Sequence, residues 1–227
     1  MTFPSDIWQS ILLTLRLASV TTVILFLIGI PLAHWLNTCR WKGIVFLETL
    51  VSLPIVLPPT VIGFYLLVLF APQNPLGASW VRITGQTLAF SFWGLVVGSF
   101  IYSLPFAVQP FQAALKTVPH TLIEAARVCG ANRRQVLWHV MLPLARRGIG
   151  AGITLSFAHT VGEFGVVLML GGSIPGVTKV ASISLYDEVQ KLNYPQAHAI
   201  ALLLLIISFS LLSLMSLLQR KSDERGA

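Results

Sequence analysis

The sequence predicts an all-α integral membrane protein with about five transmembrane helices. Three observations carry this expectation. The chain has 227 residues, is 55% hydrophobic and only 10% charged, too few charges to coat a water-soluble domain of this size. Five apolar runs are each long enough, at about 20 residues or more, to cross the hydrocarbon core as helices, where every backbone amide has to be satisfied within its own segment. Most Lys and Arg residues fall in alternate connections between those runs, as in a chain threaded back and forth through a bilayer.

The runs are 8–36, 44–71, 87–113, 146–172 and 196–218. With the connection 115–147 they make one transmembrane domain over 10–218, and almost nothing remains for a soluble domain. No Lys or Arg precedes Arg16, and the first run exceeds the length of a signal-peptide apolar region, so it is expected to stay in the mature protein. The formal charge of +7 does not read as a nucleic-acid surface. Arg40 and Lys42 lie between the first and second runs, and Lys116, Arg127, Arg133, Arg134, Arg146 and Arg147 between the third and fourth. Arg220, Lys221 and Arg225 lie in the tail, leaving Arg16, Arg82, Lys179 and Lys191 on or beside segments of opposite sidedness. The positive-inside bias then puts the N-terminus outside and the C-terminus in the cytoplasm, as an odd number of spans requires. Cys39 and Cys129 fall on the reducing side and are expected to be free thiols acting as small buried apolar residues. The histidines, His34, His120, His139, His159 and His198, are scattered without metal-ligand spacing.

Interruptions in the runs point to a transport path, because a path needs helices that break, pack closely or carry polar groups inward. The second run holds Pro54, Pro58 and Pro59 before Thr60; prolines remove backbone donors and kink or unwind a helix, and the freed carbonyls have to face protein or water. Gly94 and Gly98, and Gly148, Gly150 and Gly152, have the small-residue spacing of close helix contacts, within one bundle or between two copies. The fourth run sets Glu163 between Gly162 and Gly165, about nine residues or ~13 Å from its outer end. Arg16 lies at nearly the same depth in the first run. Two readings are open: Arg16 pairs with Glu163, or Arg16 reaches the outer headgroups while Glu163 caps local backbone or is neutral. A carboxylate repels an anion in a low dielectric, so Glu163 suits a scaffold or gate. Anion contacts would fall to backbone amides, hydroxyls and helix N-termini around Thr60, Ser91 and Ser99.

The third connection looks folded. Pro119 and Thr121 are helix-start signals, good helix formers follow, and Gly130 stops the run. Leu122, Ala125, Ala126 and Cys129 share one face of the expected helix, with Glu124 and Arg127 elsewhere, and such a helix suits a groove on another protein. Pro143 is expected to start the next membrane helix. The order Glu124-Ala125-Ala126-x3-Gly130-x9-Val140-x-Leu142-Pro143 resembles the signature loop of permeases in binding-protein-dependent ABC importers, with Val140 where that family usually has Ile. The resemblance implies that Glu124, Ala125, Ala126, Arg127, Gly130, Leu142 and Pro143 form a coupling element that docks into a cytoplasmic ATPase. It further implies a type I ABC importer permease fold in the bacterial cytoplasmic (inner) membrane. The expected partners are a second copy of the chain, two ATPase subunits, and a periplasmic or lipid-anchored oxyanion-binding protein touching the outer segment 173–195. The chain has no phosphate-binding loop of its own, so it is expected to be no enzyme and to bind no cofactor, ATP and Mg being used by the ATPase partner.

Three blocks, 53–67 (LPIVLPPTVIGFYLL), 162–165 (GEFG) and 171–189 (GGSIPGVTKVASISLYDEV), narrow the resemblance to the molybdate branch, with tungstate as a second cargo and a sulfate or thiosulfate permease as the alternative within the class. The interruptions and polar positions of the second, third and fourth runs make Pro54, Pro58, Pro59, Thr60, Ser91, Gly162, Glu163 and Gly165 the pathway or gate candidates. An ATP-independent secondary transporter or channel is the alternative from another class. It would call for inverted repeats and several intramembrane acids, and neither is seen.

Overall fold

The computed structural model describes residues 5–39 and 41–223; Arg40 and Arg225, two of the connection charges, lie outside them. The described residues form helices α1 (Ser5–Thr38), α2 (Ile44–Val56), α3 (Pro59–Phe70), α4 (Pro75–Thr84), α5 (Phe92–Lys116), α6 (His120–Val128), α7 (Arg133–Val136), α8 (Leu142–Gly162), α9 (Gly165–Gly171), α10 (Ala181–Gln190) and α11 (Tyr194–Asp223). Three of them, α1, α5 and α11, are long and apolar enough to cross a membrane alone, and two bent pairs, α2–α3 and α8–α9, bring the number to five if each pair is one span.

Both bent pairs replace a single expected run, for reasons that lie in the chain. Leu57 and Pro58 each precede a proline, which disfavours the helical region by steric clash, and here two such positions follow one another. They take extended backbone at ψ 137° and 134°, and α3 starts afresh with Pro59 in its first turn, bent 112° from α2. The fourth run breaks at Glu163, extended at ψ 134°, and α9 departs at 57°. The third run also starts later than 87, because the Ser91 hydroxyl accepts from Gly94 N–H at 3.1 Å and caps α5 there. Just before that cap, Phe90 N–H donates to the Leu170 carbonyl at 2.8 Å, which ties the entry to α5 onto α9.

A second correction concerns Pro143. The helix entering the membrane begins ten residues earlier, at Arg133, behind a capping box in which Asn132 and Gln135 satisfy each other's backbone N–H. It passes through a π turn, Leu137–Met141, before Pro143. A proline ring clashes with the carbonyl four residues back, here His139, and widening the turn lets the helix run on. From Arg133 to Gly162 it is therefore one rod of about 45 Å.

The core lies in two layers. Toward the 115–147 connection, Leu25, Leu36, Val108, Phe111 and Ile149 interdigitate; toward the other face, Leu17, Leu95, Ile62, Val166 and Leu170 do so. Glycines permit the close approach: a Cβ at Gly152 would sit 2.7 Å from the Phe111 ring, and one at Gly148 would strike Ala114. These contacts assign most of the small-residue pattern to packing within the chain, whereas Gly150 faces open space. The segment expected as an outer loop, 173–195, holds α10 at its centre, packed on α1 and α11. It is pinned where Ala181 N–H donates to the Thr14 hydroxyl at 2.8 Å.

Candidate translocation site

The two helix breaks meet. A Cβ at Gly165 would lie 2.8 Å from Pro59 Cγ and 3.3 Å from Thr60 N, and one at Gly63 would lie 2.7 Å from Met169 Cβ. Only glycine on both sides lets α3 and α9 start this close together. Of the sequence-derived pathway candidates, the structure thus joins Pro59 and Thr60 to Gly165, whereas Pro58, Gly162 and Glu163 flank that contact in the chain. Pro54 is buried within α2. Ser91 stands apart from the breaks, its hydroxyl committed to the α5 cap and to the Leu88 carbonyl at 2.7 Å.

Beside the α8–α9 break runs a polar seam that sequence reading missed apart from Glu163 and Ser99. Ser103 Oγ lies 2.9 Å from His159 Nδ1 and 3.0 Å from Thr160 Oγ1, and Thr160 donates to the Ser156 carbonyl at 2.9 Å. Each hydroxyl has one proton. With Thr160 donating onward, Ser103 donates to Thr160, and His159 is left to donate from Nδ1 to Ser103. His159 is stacked on Phe106 at 3.8 Å and tilted against Tyr102 at 4.9 Å. The available signal was the i, i+4 recurrence of Ser99 and Ser103 on α5, facing a helix that carries His159 and Thr160.

Glu163 is only 4% exposed, and neither carboxyl oxygen has a hydrogen-bond partner. The Ser99 hydroxyl is its polar neighbour but closes no hydrogen bond of good geometry, and it too is buried and unpartnered. The backbone at the break is held: Ser182 Oγ of α10 donates to the Glu163 carbonyl at 2.7 Å. The Arg16–Glu163 pairing is not formed. Arg16 is exposed on the outer face of α1, its guanidinium 4.8 Å over the Phe92 ring, because the neighbouring Leu17 and Ala18 take the inward positions. A cavity of about 410 Å³ opens against the break, bounded by Gly162, Phe164, Ser182 and Tyr186. The Phe164 and Tyr186 rings lie 5.2 Å apart there, so α10 touches the break through a side chain as well.

α10 is itself held by charge. Lys179 pairs with Asp187 at 2.9 Å, and Ser173 Oγ donates to the same carboxyl at 2.6 Å. Burial raises the Asp187 carboxyl, but those two donors outweigh it and leave Asp187 below the ordinary range. Glu188 is also held low, first by Lys191 at 2.9 Å, against burial, and then by Asn193 at 2.7 Å.

At the opposite end, α6 is a helix outside the spans, ended by Gly130 at φ 86°, a left-handed position that suits glycine. Most of the face expected to suit a groove on another protein is left open. Ile123 is the buried residue, with Ala126 partly covered. Leu122, Ala125 and Cys129 are exposed, and Val128 is 89% exposed. The expected burial of Cys129 thus fails because Ile123, the larger apolar group, takes the inward side. Both cysteines are free, Cys39 being half-buried. Among the described residues no cluster of His, Cys, Asp and Glu could hold a metal ion.

Known proteins resemble this chain in both sequence and fold. The model for the binding-protein-dependent transport system inner membrane component matches residues 25–225. The molybdenum transport system permease protein ModB of Azotobacter vinelandii is 45% identical over 203 residues, 89% of this chain and 90% of that protein. The protein of the same name from Escherichia coli (strain K12) is 36% identical over 96% of each chain. Among solved structures, a bacterial ABC transporter involved in the import of the acidic polysaccharide alginate aligns with a TM-score of 0.79. It covers 96% of this chain and 80% of that one at 19% identity, a likeness of fold. With both helix breaks, the exposed α6 and these matches in place, the chain belongs to the binding-protein-dependent transport system inner membrane components, the permeases of type I ABC importers.

Proposed function

We propose that this chain is the transmembrane permease subunit of an ATP-driven importer that carries molybdate, with tungstate as a second cargo, across the bacterial cytoplasmic membrane. The observation that carries the cargo is the 45% identity, over nine tenths of both chains, with a molybdenum transport permease. The chain works as a homodimer with two ATPase subunits that bind ATP and Mg, and it receives the anion from a periplasmic or lipid-anchored binding protein. Its N-terminus lies outside, so α6 faces the cytoplasm and α10 faces the binding protein. ATP hydrolysis belongs to the partner, and the chain binds no cofactor itself.

The mechanism follows from the rod between Arg133 and Gly162. α6 docks on the ATPase through Leu122, Ala125 and Val128, while Glu124, Ala126, Arg127 and Gly130 set the shape of the element. α6 is joined at Gly130 to the rod, whose base includes Leu142 and Pro143 and whose far end is the break at Glu163. Closure of the ATPase pair tilts the rod, and the movement arrives where α9 packs on Pro59. α3 and α9 both begin at breaks; in α3 Pro59 has no N–H and Val61 N–H donates to the Pro58 carbonyl at 2.9 Å, so its free donor is the Thr60 N–H, which lies beside the start of α9. That is suitable ground for an anion, with Thr60 and Ser99 adding hydroxyls and Pro54 and Pro58 keeping α2 and α3 from closing into one helix. Ser91 serves the path by fixing where α5 begins.

The test is reconstitution in vesicles with the ATPase and the binding protein. ATP-dependent uptake of molybdate, undiminished by excess sulfate, is expected. Uptake of sulfate in its place, or uptake without the ATPase, overturns the reading.

A further inference from the structure

A second cavity, of about 850 Å³, lies where α1 and α5 end on the α6 side, far from the two breaks. Its rim is cationic: Lys116, Arg127, Arg133 and Arg134 line it together with His34 and His120, with no acidic residue among them. None of the four Lys and Arg side chains has an ion pair among the described residues. His34 Nδ1 is buried without a hydrogen-bond partner. Clustered like charge without counterions costs free energy, and an anion that shares the cavity relieves it.

The floor is apolar, made by Leu115, Val118, Ile123 and Leu137. Cationic rim, apolar floor and a volume far above that of a bare tetrahedral oxyanion fit a phosphate that carries hydrocarbon. The depth agrees. α1 has 34 residues, about 51 Å at 1.5 Å per residue, against a hydrocarbon core of about 30 Å, so its last turns emerge at the headgroups. Trp35, which lines the cavity, is 46% exposed, as aromatic side chains at a membrane interface are. The cavity lies behind α6, on the side of buried Ile123, and leaves the exposed Leu122 and Val128 free for a protein partner.

We infer that this cavity binds the phosphate headgroup of an anionic phospholipid, with the glycerol and upper acyl carbons on the apolar floor. Basic pockets between membrane helices on the cytoplasmic side recognise such headgroups by this chemistry. The inference rests on the proposed sidedness only for which leaflet supplies the lipid, and on no assumption about the transported cargo.

Native mass spectrometry of the full chain, purified with its ATPase subunits, tests it by titration with phosphatidylglycerol and with phosphatidylcholine. The wild type should retain phosphatidylglycerol in preference, even in excess inorganic phosphate. The double variant R133Q/R134Q should lose about thirtyfold in affinity for phosphatidylglycerol, and K116Q about fivefold, as removal of two and of one near-surface cation implies. Binding of phosphatidylcholine should not change, and R82Q, on α4, should behave as wild type. If the double variant does not fold, K116Q carries the measurement. Equal retention of phosphatidylglycerol by wild type and variants overturns the assignment. So does its displacement by inorganic phosphate, which would make this a site for a soluble oxyanion. Because the readout is retained lipid, failure here leaves the transport reading untouched, and loss of transport leaves this one untouched.

Discussion

Gly165 packs against Pro59 so closely that a Cβ on the glycine would lie 2.8 Å from the proline ring. One helix break is thereby seated on the other. Gly165→Val should force α3 and α9 apart at a cost of about 1–3 kcal/mol, the range for overpacking a filled core. The expected result is a lower melting temperature in detergent and loss of uptake, with the ATPase still bound. An unshifted melting curve would show that the two breaks are not locked together.

The seam beside them depends on Ser103, which joins His159 to Thr160. Ser103→Ala leaves a buried ring N–H and a hydroxyl short of a partner, with an expected destabilisation of about 1–3 kcal/mol. Ser103→Thr, which restores the hydroxyl, should recover most of it. Thermal unfolding of both variants is the check, and equal melting of S103A and wild type would count against the donor order deduced for the seam.

Val128 is 89% exposed on α6, so Val128→Asp should change the stability of the chain by less than about 0.5 kcal/mol. It should nevertheless abolish co-purification of the ATPase and ATP-dependent uptake, because a carboxylate is costly to bury in an apolar groove. Retention of the ATPase by V128D would place the docking face elsewhere.

Gly130 stands at φ 86° in the turn that joins α6 to the rod. A β-branched residue strains that backbone by roughly 1–2 kcal/mol, and Gly130→Val should let the turn relax out of shape. ATP hydrolysis by the assembled complex is then expected to continue while uptake falls. Parallel loss of both would point to misfolding instead of uncoupling.

The α10 network has a pH signature. Asp187 and Glu188 are held below their ordinary values, so their stabilisation is fully present above the unfolded carboxylate range, about pH 4. It is lost as the pH falls through the lower folded values. The protection factors of the α10 amides, taken relative to the intrinsic exchange rate at each pH, should therefore fall on acidification below that range, and the fall should shrink in D187N/E188Q. An identical acid response in the variant would remove these two groups as its cause.

Composition and local sterics account for the features legible in the order of amino acids alone. Apolar runs of membrane length mark the three single spans and the two bent pairs, and the successive prolines Pro58 and Pro59 disfavour a continuous helix through Leu57. Gly130 ends α6 because the turn there needs positive φ, and the motif from Glu124 to Pro143 names the family because its order is unusual. Pro143 does not start a helix as its residue type suggests, since a π turn absorbs the ring clash and only the three-dimensional chain shows it. The tertiary structure alone decided that the two breaks pack on each other, that Ser103 bridges His159 and Thr160, and that Arg16 lies over Phe92 and not beside Glu163. Those are contacts between residues far apart in the chain. They depend on how each helix is rotated about its own axis, and that rotation is set by packing against neighbours, which no pattern within a single helix records.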